Sequence, residues 1–264
     1  ILISSLACFT LAYGYIEGYG DNKEELYLLM LISTLGALFM VCADNLASFF
    51  VSLELLSVPL YGMLAYTYAR GKSLEAGFKY LILSATASAT MLMGMALIYS
   101  NTGTLSFRQI GMAIVPMFQN GIVMPILVVG TALMLFGIAF KLSAVPFHTW
   151  TPDVYQGAPA PVATFLGSVS KVAMMALGLR FLLSTATLAL PAINTLIVVI
   201  ASLSMIIGNV LALRQHNIKR LLAYSSIAHI GYVLAIISAV KVESAGFVSL
   251  YMAVYAFTTI GAFG

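Results

Sequence analysis

The sequence predicts an all-α protein, a polytopic transmembrane helical bundle of about nine spans, with one helix broken around Pro146. Three observations carry this. The 264 residues are 61% hydrophobic and only 8% charged, with a mean hydropathy of +1.03, whereas a soluble domain carries roughly 25% charged residues. The apolar runs are continuous over membrane length and do not alternate, which argues against the roughly ten-residue segments of a β-barrel. The 21 glycines and 8 prolines are scattered through those runs, as in bundles whose helices approach closely.

Taken in order, spans are expected near residues 1–16, 26–43, 46–69, 76–99, 121–145, 160–184, 191–213, 218–240 and 245–264. Each is long enough to cross a hydrocarbon layer roughly 30 Å thick. The connections are short, and residues 106–114 form an amphipathic piece expected to lie along the interface. With the 70–79 loop (Arg70, Lys72, Lys79) on the cytoplasmic side, counting crossings brings the 214–220 loop (Arg214, Lys219, Arg220) and Lys23 to the same side. Arg108, Arg180 and Lys241 fall opposite, a positive-inside bias. The chain begins at Ile1 inside an apolar run and stops at Gly264 in mid-helix, without initiator Met or cleavable leader, so part of a longer chain is expected. Residues 1–264 read as a single transmembrane domain.

Other classes are disfavoured. Cys8 and Cys42 each sit in an apolar run and read as small buried hydrophobes, not a disulfide or metal pair. There is no cysteine cluster for iron–sulfur, no plausible histidine pair for haem, and Gly18-Tyr19-Gly20 lacks the strand–turn–helix setting of a dinucleotide fingerprint. A net charge of +3 is too small to point to nucleic acid.

The informative residues are charges inside membrane-length runs, where a bare charge costs several kcal/mol and function is the default reading. Glu54 lies in the body of the third run, with Ser57 and Tyr61 on the same helical face. Either it sits near an interface or it belongs to an internal site. Lys141 is about 18 residues, or roughly 27 Å, into a helix starting at Val123, which suits snorkelling if the helix ends there. Alternatively the helix continues past Pro146 as a broken span, and the lysine lies deep beside the break. Lys171 lies about ten residues beyond Pro161, some 15 Å from the segment end, with Ser168 and Thr164 at i−3 and i−7. That is too deep for snorkelling, so an internal polar site is expected. Ser225, His229 and Tyr232 fall at i, i+4 and i+7 in the eighth run. His229 is either a hydrogen-bonded core residue or a relay, its ordinary pKa near 6.5 suiting proton passage. His148 beside Pro146 could relay protons or satisfy backbone freed by the break, and His216 reads as solvated.

At these residues the sequence resembles a known family. AFKLSAVPFHTWTPDVYQGAPAPV, the lysine of GSVSKVA, Glu54 in SLELLSVPLY and the NIKRLLAYSSIAHIGY run are similar to the antiporter-like membrane subunits of respiratory complex I. The resemblance implies an antiporter-like inverted-repeat fold of fourteen helices, of which this chain supplies about helices three to eleven. The first repeat is expected at about 26–184 and a truncated second from about 191, its own broken helix lying beyond Gly264. It further implies a mid-membrane position for Lys141, a Glu54–Lys141 charge pair, and Lys171 as the connecting lysine.

The implied activity is proton translocation in a bacterial inner membrane, coupled to quinone reduction elsewhere in an NADH:quinone oxidoreductase. NAD, FMN, iron–sulfur clusters and quinone would sit in partner subunits, with no cofactor or metal in this chain. Its partners would be other membrane-arm subunits, the lipid bilayer and protons. A carboxylate close to a buried lysine favours the protonated form, and its withdrawal favours release. Glu54 and Lys141 thus form a switch with Lys171 as the next acceptor, while His229, His148, Ser168 and Tyr232 could relay or bind water. Two alternatives remain: a subunit of a multi-subunit Na⁺/H⁺ antiporter, and a structural membrane subunit whose buried charges only fix helix register.

Overall fold

The computed structural model describes residues 1–17, 23–67, 71–119, 124–240 and 244–264. Expectations resting on Arg70, Lys241 and Gly18–Gly20 lie outside them. The helices run in order: α1 (Leu2–Ile16), α2 (Lys23–Cys42), α3 (Leu46–Leu64), α4 (Gly71–Thr102), α5 (Phe107–Gln119), α6 (Pro125–Leu142), α7 (Trp150–Gly157), α8 (Ala160–Phe165), a π-helical turn (Leu166–Ser170), α9 (Lys171–Ser184), α10 (Pro191–Leu213), α11 (Ile218–Val240) and α12 (Ser244–Phe263). No strand forms among the described residues.

Eight continuous helices among the described residues are long and apolar enough to cross a membrane, residues 160–184 counting as one. The ninth expected span, α1, is apolar but has only 15 residues. Residues 160–184 are almost entirely buried, whereas α10 and α12 turn most of their surface outward. The bundle is therefore organised around that central span.

Glycines permit the tightest crossings. A Cβ on Gly94 of α4 would lie 2.6 Å from the Gly130 carbonyl oxygen of α6, and one on Gly208 of α10 would lie 2.8 Å from the Ala228 nitrogen of α11. Without hydrophobic drive between helices in lipid, such close backbone packing is what holds them together.

Two boundaries differ from the sequence reading. The 70–79 loop is largely helix, because α4 begins at Gly71 and runs for 32 residues, about 48 Å. Its first turns project beyond an apolar layer and are stabilised there by the Glu75–Lys79 pair at 2.6 Å, spaced i,i+4. Lys219 and Arg220 likewise sit in the first turn of α11.

Polar contacts of basic residues close both ends of the bundle. At one end Lys79, Lys219 and Arg220 converge on residues 153–158. At the other, Arg180 reaches the Ala43 carbonyl, and residues 44–46 exchange backbone hydrogen bonds with 105–107, which seats the amphipathic α5.

The expected break lies between α6 and α7. Ser143 takes a left-handed conformation (φ 66°), and the Ala144 amide reaches back to the Ala139 carbonyl at 2.8 Å, closing α6 in the manner of a Schellman motif. Val145–Pro146 is cis. Groups freed by the break find partners: the Val145 amide donates to Ser204 Oγ of α10 at 2.9 Å, and Trp150 Nε1 donates to the Phe140 carbonyl at 3.2 Å. Irregular backbone at such depth is tolerated only where it is satisfied by protein in this way.

Candidate functional site: two buried lysines

Lys141 is the penultimate residue of α6 and 5% exposed. The helix does end beside it, as snorkelling would require, but the ammonium turns inward. Its Nζ donates to Ser57 Oγ of α3 at 2.8 Å and to Ser84 Oγ of α4 at 2.6 Å, and lies 5.7 Å from the centre of the Tyr80 ring. Ser84 also bonds the Tyr61 hydroxyl at 2.9 Å. The polar face of α3 read from the sequence thus meets α4 and α6.

Glu54 is half-buried on that face and accepts from Ser88 Oγ at 2.7 Å. It forms no ion pair with Lys141 within 4 Å; the three ion pairs among the described residues lie elsewhere. Ser84 and Ser88, one helical turn apart on α4, hold the ammonium and the carboxylate respectively. The sequence reading missed both. Their signal was the i,i+4,i+8 stripe Tyr80, Ser84, Ser88 on one face of an otherwise apolar span.

Lys171 is 1% exposed and donates to Ser226 Oγ of α11 at 2.8 Å, with the Tyr155 ring 5.8 Å away. Ser226 in turn donates to the Ala223 carbonyl. Ser168, expected on the same stripe as Lys171, instead donates to the Thr164 carbonyl and lies 3.9 Å from Cys8 Sγ of α1. The reason is the π-helical turn at Leu166–Ser170, which inserts a residue immediately before Lys171 and rotates it off the ordinary helical register.

One turn beyond Ser226, His229 Nδ1 shares a 2.6 Å hydrogen bond with the Tyr251 hydroxyl and is surrounded by the rings of Tyr232, Tyr251 and Tyr255. A cleft of about 210 Å³, with apolar walls and several polar groups, runs past Tyr155, Ser225, Ser226, His229, Tyr255 and Thr259. At roughly 30 Å³ per molecule it has room for several waters. The Tyr232 ring meets His229 edge-on, while its hydroxyl accepts from Asn209 of α10 at 2.9 Å on an exposed face. His148 remains half-buried at the break and His216 is exposed.

The lysines thus occupy two stations, Lys141 held by two serine hydroxyls and Lys171 by one, each beside an aromatic ring, with α7 between them. Trp150 of α7 packs at a tilt against Tyr80 (centroids 4.8 Å apart) at the first station, and Tyr155 of α7 lies under Lys171 at the second. No direct hydrogen bond joins Lys141 to Lys171.

Comparison with known proteins follows this geometry. Residues 43–264 match the family described as NADH:quinone oxidoreductase/Mrp antiporter, TM. The chain is 62% identical to NADH-quinone oxidoreductase subunit N of Psychrobacter arcticus, over its whole length and 53% of that protein. Against the subunit N of Acinetobacter baumannii the identity is 54%, over the whole chain and 52% of the relative. The chain therefore spans about half the length of the curated relatives it matches.

Among solved structures it is similar to respiratory complex I from Thermus thermophilus with bound aureothin (35% identity, TM-score 0.79, covering 99% of this chain and 55% of that one). It is also similar to an archaeal membrane-bound sulfane sulfur reductase (28%, 0.81, covering 94% and 50%). The Mrp complex from a Dietzia species shares the fold (24%, 0.84, covering 97% and 47%).

Proposed function

The chain belongs to the NADH:quinone oxidoreductase/Mrp antiporter transmembrane family, and we propose that it moves protons through Lys141 and Lys171 as part of an NADH:quinone oxidoreductase in a bacterial inner membrane. The observation that carries this is a pair of almost fully buried lysines, neither touching a carboxylate among the described residues. A structural ammonium at such depth is ordinarily neutralised by a bonded carboxylate. Hydroxyls instead solvate either protonation state, since each can donate or accept.

On this reading the residues act as follows. Glu54, held back by Ser88, sets the field at Lys141; its approach favours the protonated lysine and its withdrawal favours release. Tyr61, Ser57 and Ser84 cradle the first station. Lys171 receives the proton and passes it towards Ser226, His229 and the water-sized cleft beyond. The chain would supply a first inverted repeat over about 26–184 and the opening of a second from about 191. Quinone reduction, with NAD, FMN and iron–sulfur clusters, would belong to partner subunits.

The test is Lys171→Ala in the full-length subunit of the assembled complex, reading proton translocation against quinone reduction. A relay loses translocation with assembly intact, whereas a scaffold loses assembly or nothing. Lys141→Arg, whose guanidinium stays charged, should impair translocation too; full pumping there would overturn proton release by that side chain. Translocation that requires sodium without quinone turnover would indicate a Na⁺/H⁺ antiporter instead.

A further inference from the structure

We propose that Asp153 is a positioning residue that pins the half-helix α7 to α4 and α11 at once, and so holds the two lysine stations in register. The proposal rests on the relay reading above. It starts from the brevity of α7, 8 residues between a proline-containing break and Pro159. A helix of two turns does not hold itself by propagation, so its position must come from outside.

Asp153 provides that anchorage with both carboxylate oxygens. Oδ2 accepts from Lys79 Nζ of α4 at 3.1 Å, and Oδ1 accepts from Arg220 of α11 at 2.6 Å. Arg220 also reaches Gln156 Oε1 at 3.2 Å and Gln215 Oε1 at 3.1 Å. Lys219 donates to the Ala158 carbonyl, just past the end of α7, at 2.8 Å. Other charges facing the cluster are Glu75, paired with Lys79, and Lys72, which lines the same cleft. Burial alone would push the Asp153 carboxyl up, but Arg220 and Lys79 outweigh it and hold the group below its ordinary value of 3.8. It is therefore an anion at neutral pH.

What α7 carries makes the anchorage consequential. Trp150, three residues before Asp153, packs against the Tyr80 ring that faces Lys141; Tyr155, two residues after it, faces Lys171. Each cation that grips Asp153 belongs to a helix that also holds a lysine. Lys79 adjoins Tyr80 and lies five residues before Ser84, while Arg220 lies six residues, about 9 Å, before Ser226. A shift of α7 would alter both stations together. The two ion pairs are partly exposed and singly weak; removing Asp153 breaks both.

The test uses the full-length subunit in the assembled complex, with Asp153→Asn, Asp153→Glu and Lys79→Gln. Asp153→Asn should lower protons translocated per electron pair about three-fold or more at an unchanged amount of complex. Asp153→Glu should restore at least half, and Lys79→Gln should give a smaller loss. A second readout is independent of proton transfer: cysteines at 156 and 215, whose native side chains both reach Arg220, joined by a short bifunctional thiol reagent with the native cysteines replaced. Asp153→Asn should slow that cross-link several-fold; should it not assemble, Lys79→Gln in the same background carries the test.

An unchanged cross-linking rate overturns the anchorage. Slowed cross-linking with normal translocation overturns the link to the lysines. Normal translocation in Lys171→Ala instead overturns the relay reading and leaves the cross-linking result standing.

Discussion

Removing the single hydroxyl that holds Lys171 is the sharpest perturbation of the proposed relay. Ser226 is 3% exposed, and its Oγ is the one side-chain acceptor hydrogen-bonded to that ammonium among the described residues, at 2.8 Å. Ser226→Ala deletes one charged hydrogen bond, worth about 1.5–3 kcal/mol, without opening a large cavity. That loss makes the charged form of Lys171 about ten- to 150-fold less accessible. If protonation of Lys171 lies on the path, proton translocation by the assembled complex in proteoliposomes should fall by about an order of magnitude. Ser226→Thr, which keeps the hydroxyl, should recover most of it. Wild-type translocation in Ser226→Ala would refute the reasoning, because it would show that the charge state of Lys171 is not used.

Two further outcomes are expected. Gly94→Ala should lower thermal stability by about 1–3 kcal/mol, since its new methyl would meet backbone at Gly130 and Met134 that cannot swing aside; Gly14→Ala, with nothing within 4 Å, should be neutral. Asp153 should give a pH-dependent stability term. Its carboxyl is held below 3.8 in the fold, so its contribution is present above that value and disappears as pH falls through the folded value. Each pair is partly exposed and worth about 0.2–1 kcal/mol, so Asp153→Asn should melt slightly earlier than wild type at pH 7, with the difference closing below about pH 3.8.

The spans were legible because length and hydrophobicity alone specify a crossing, and the break was legible because Pro146 forbids a continuous helix. Glu54, Lys141 and Lys171 stood out for the same reason that they are costly: charge is rare in such runs. Their partners did not. Ser84, Ser88 and Ser226 are chemically ordinary in membrane helices, where a serine satisfies itself on its own backbone, and only three-dimensional contact shows which of them faces an ammonium. Nor does a spacing of 3.6 residues per turn anticipate the π-helical backbone at Leu166–Ser170, where Ser168 meets Cys8 of α1 while Lys171 meets Ser226 of α11. Asp153 was passed over because it lies outside any apolar run, where an acid is unremarkable until its two cations are seen.

Under the proposed relay, the separation of Glu54 from Lys141, which form no ion pair within 4 Å, sets how firmly the proton is held. At an effective dielectric of about 20, a carboxylate and an ammonium 4 Å apart attract by about 4 kcal/mol, and by about 2 kcal/mol at twice that distance. Direct contact would bias Lys141 towards its protonated state by roughly a thousand-fold, and the longer separation by only about thirty-fold. The second is a bias that a modest movement can reverse; the first is a trap. Ser88 holds the carboxylate on α4 while Ser84, one turn away, holds the ammonium. Ser88→Ala should therefore release Glu54 towards Lys141 and slow translocation, although neither charged residue has been touched. Normal translocation in Ser88→Ala would show that the serine ladder does not govern the distance between the two charges.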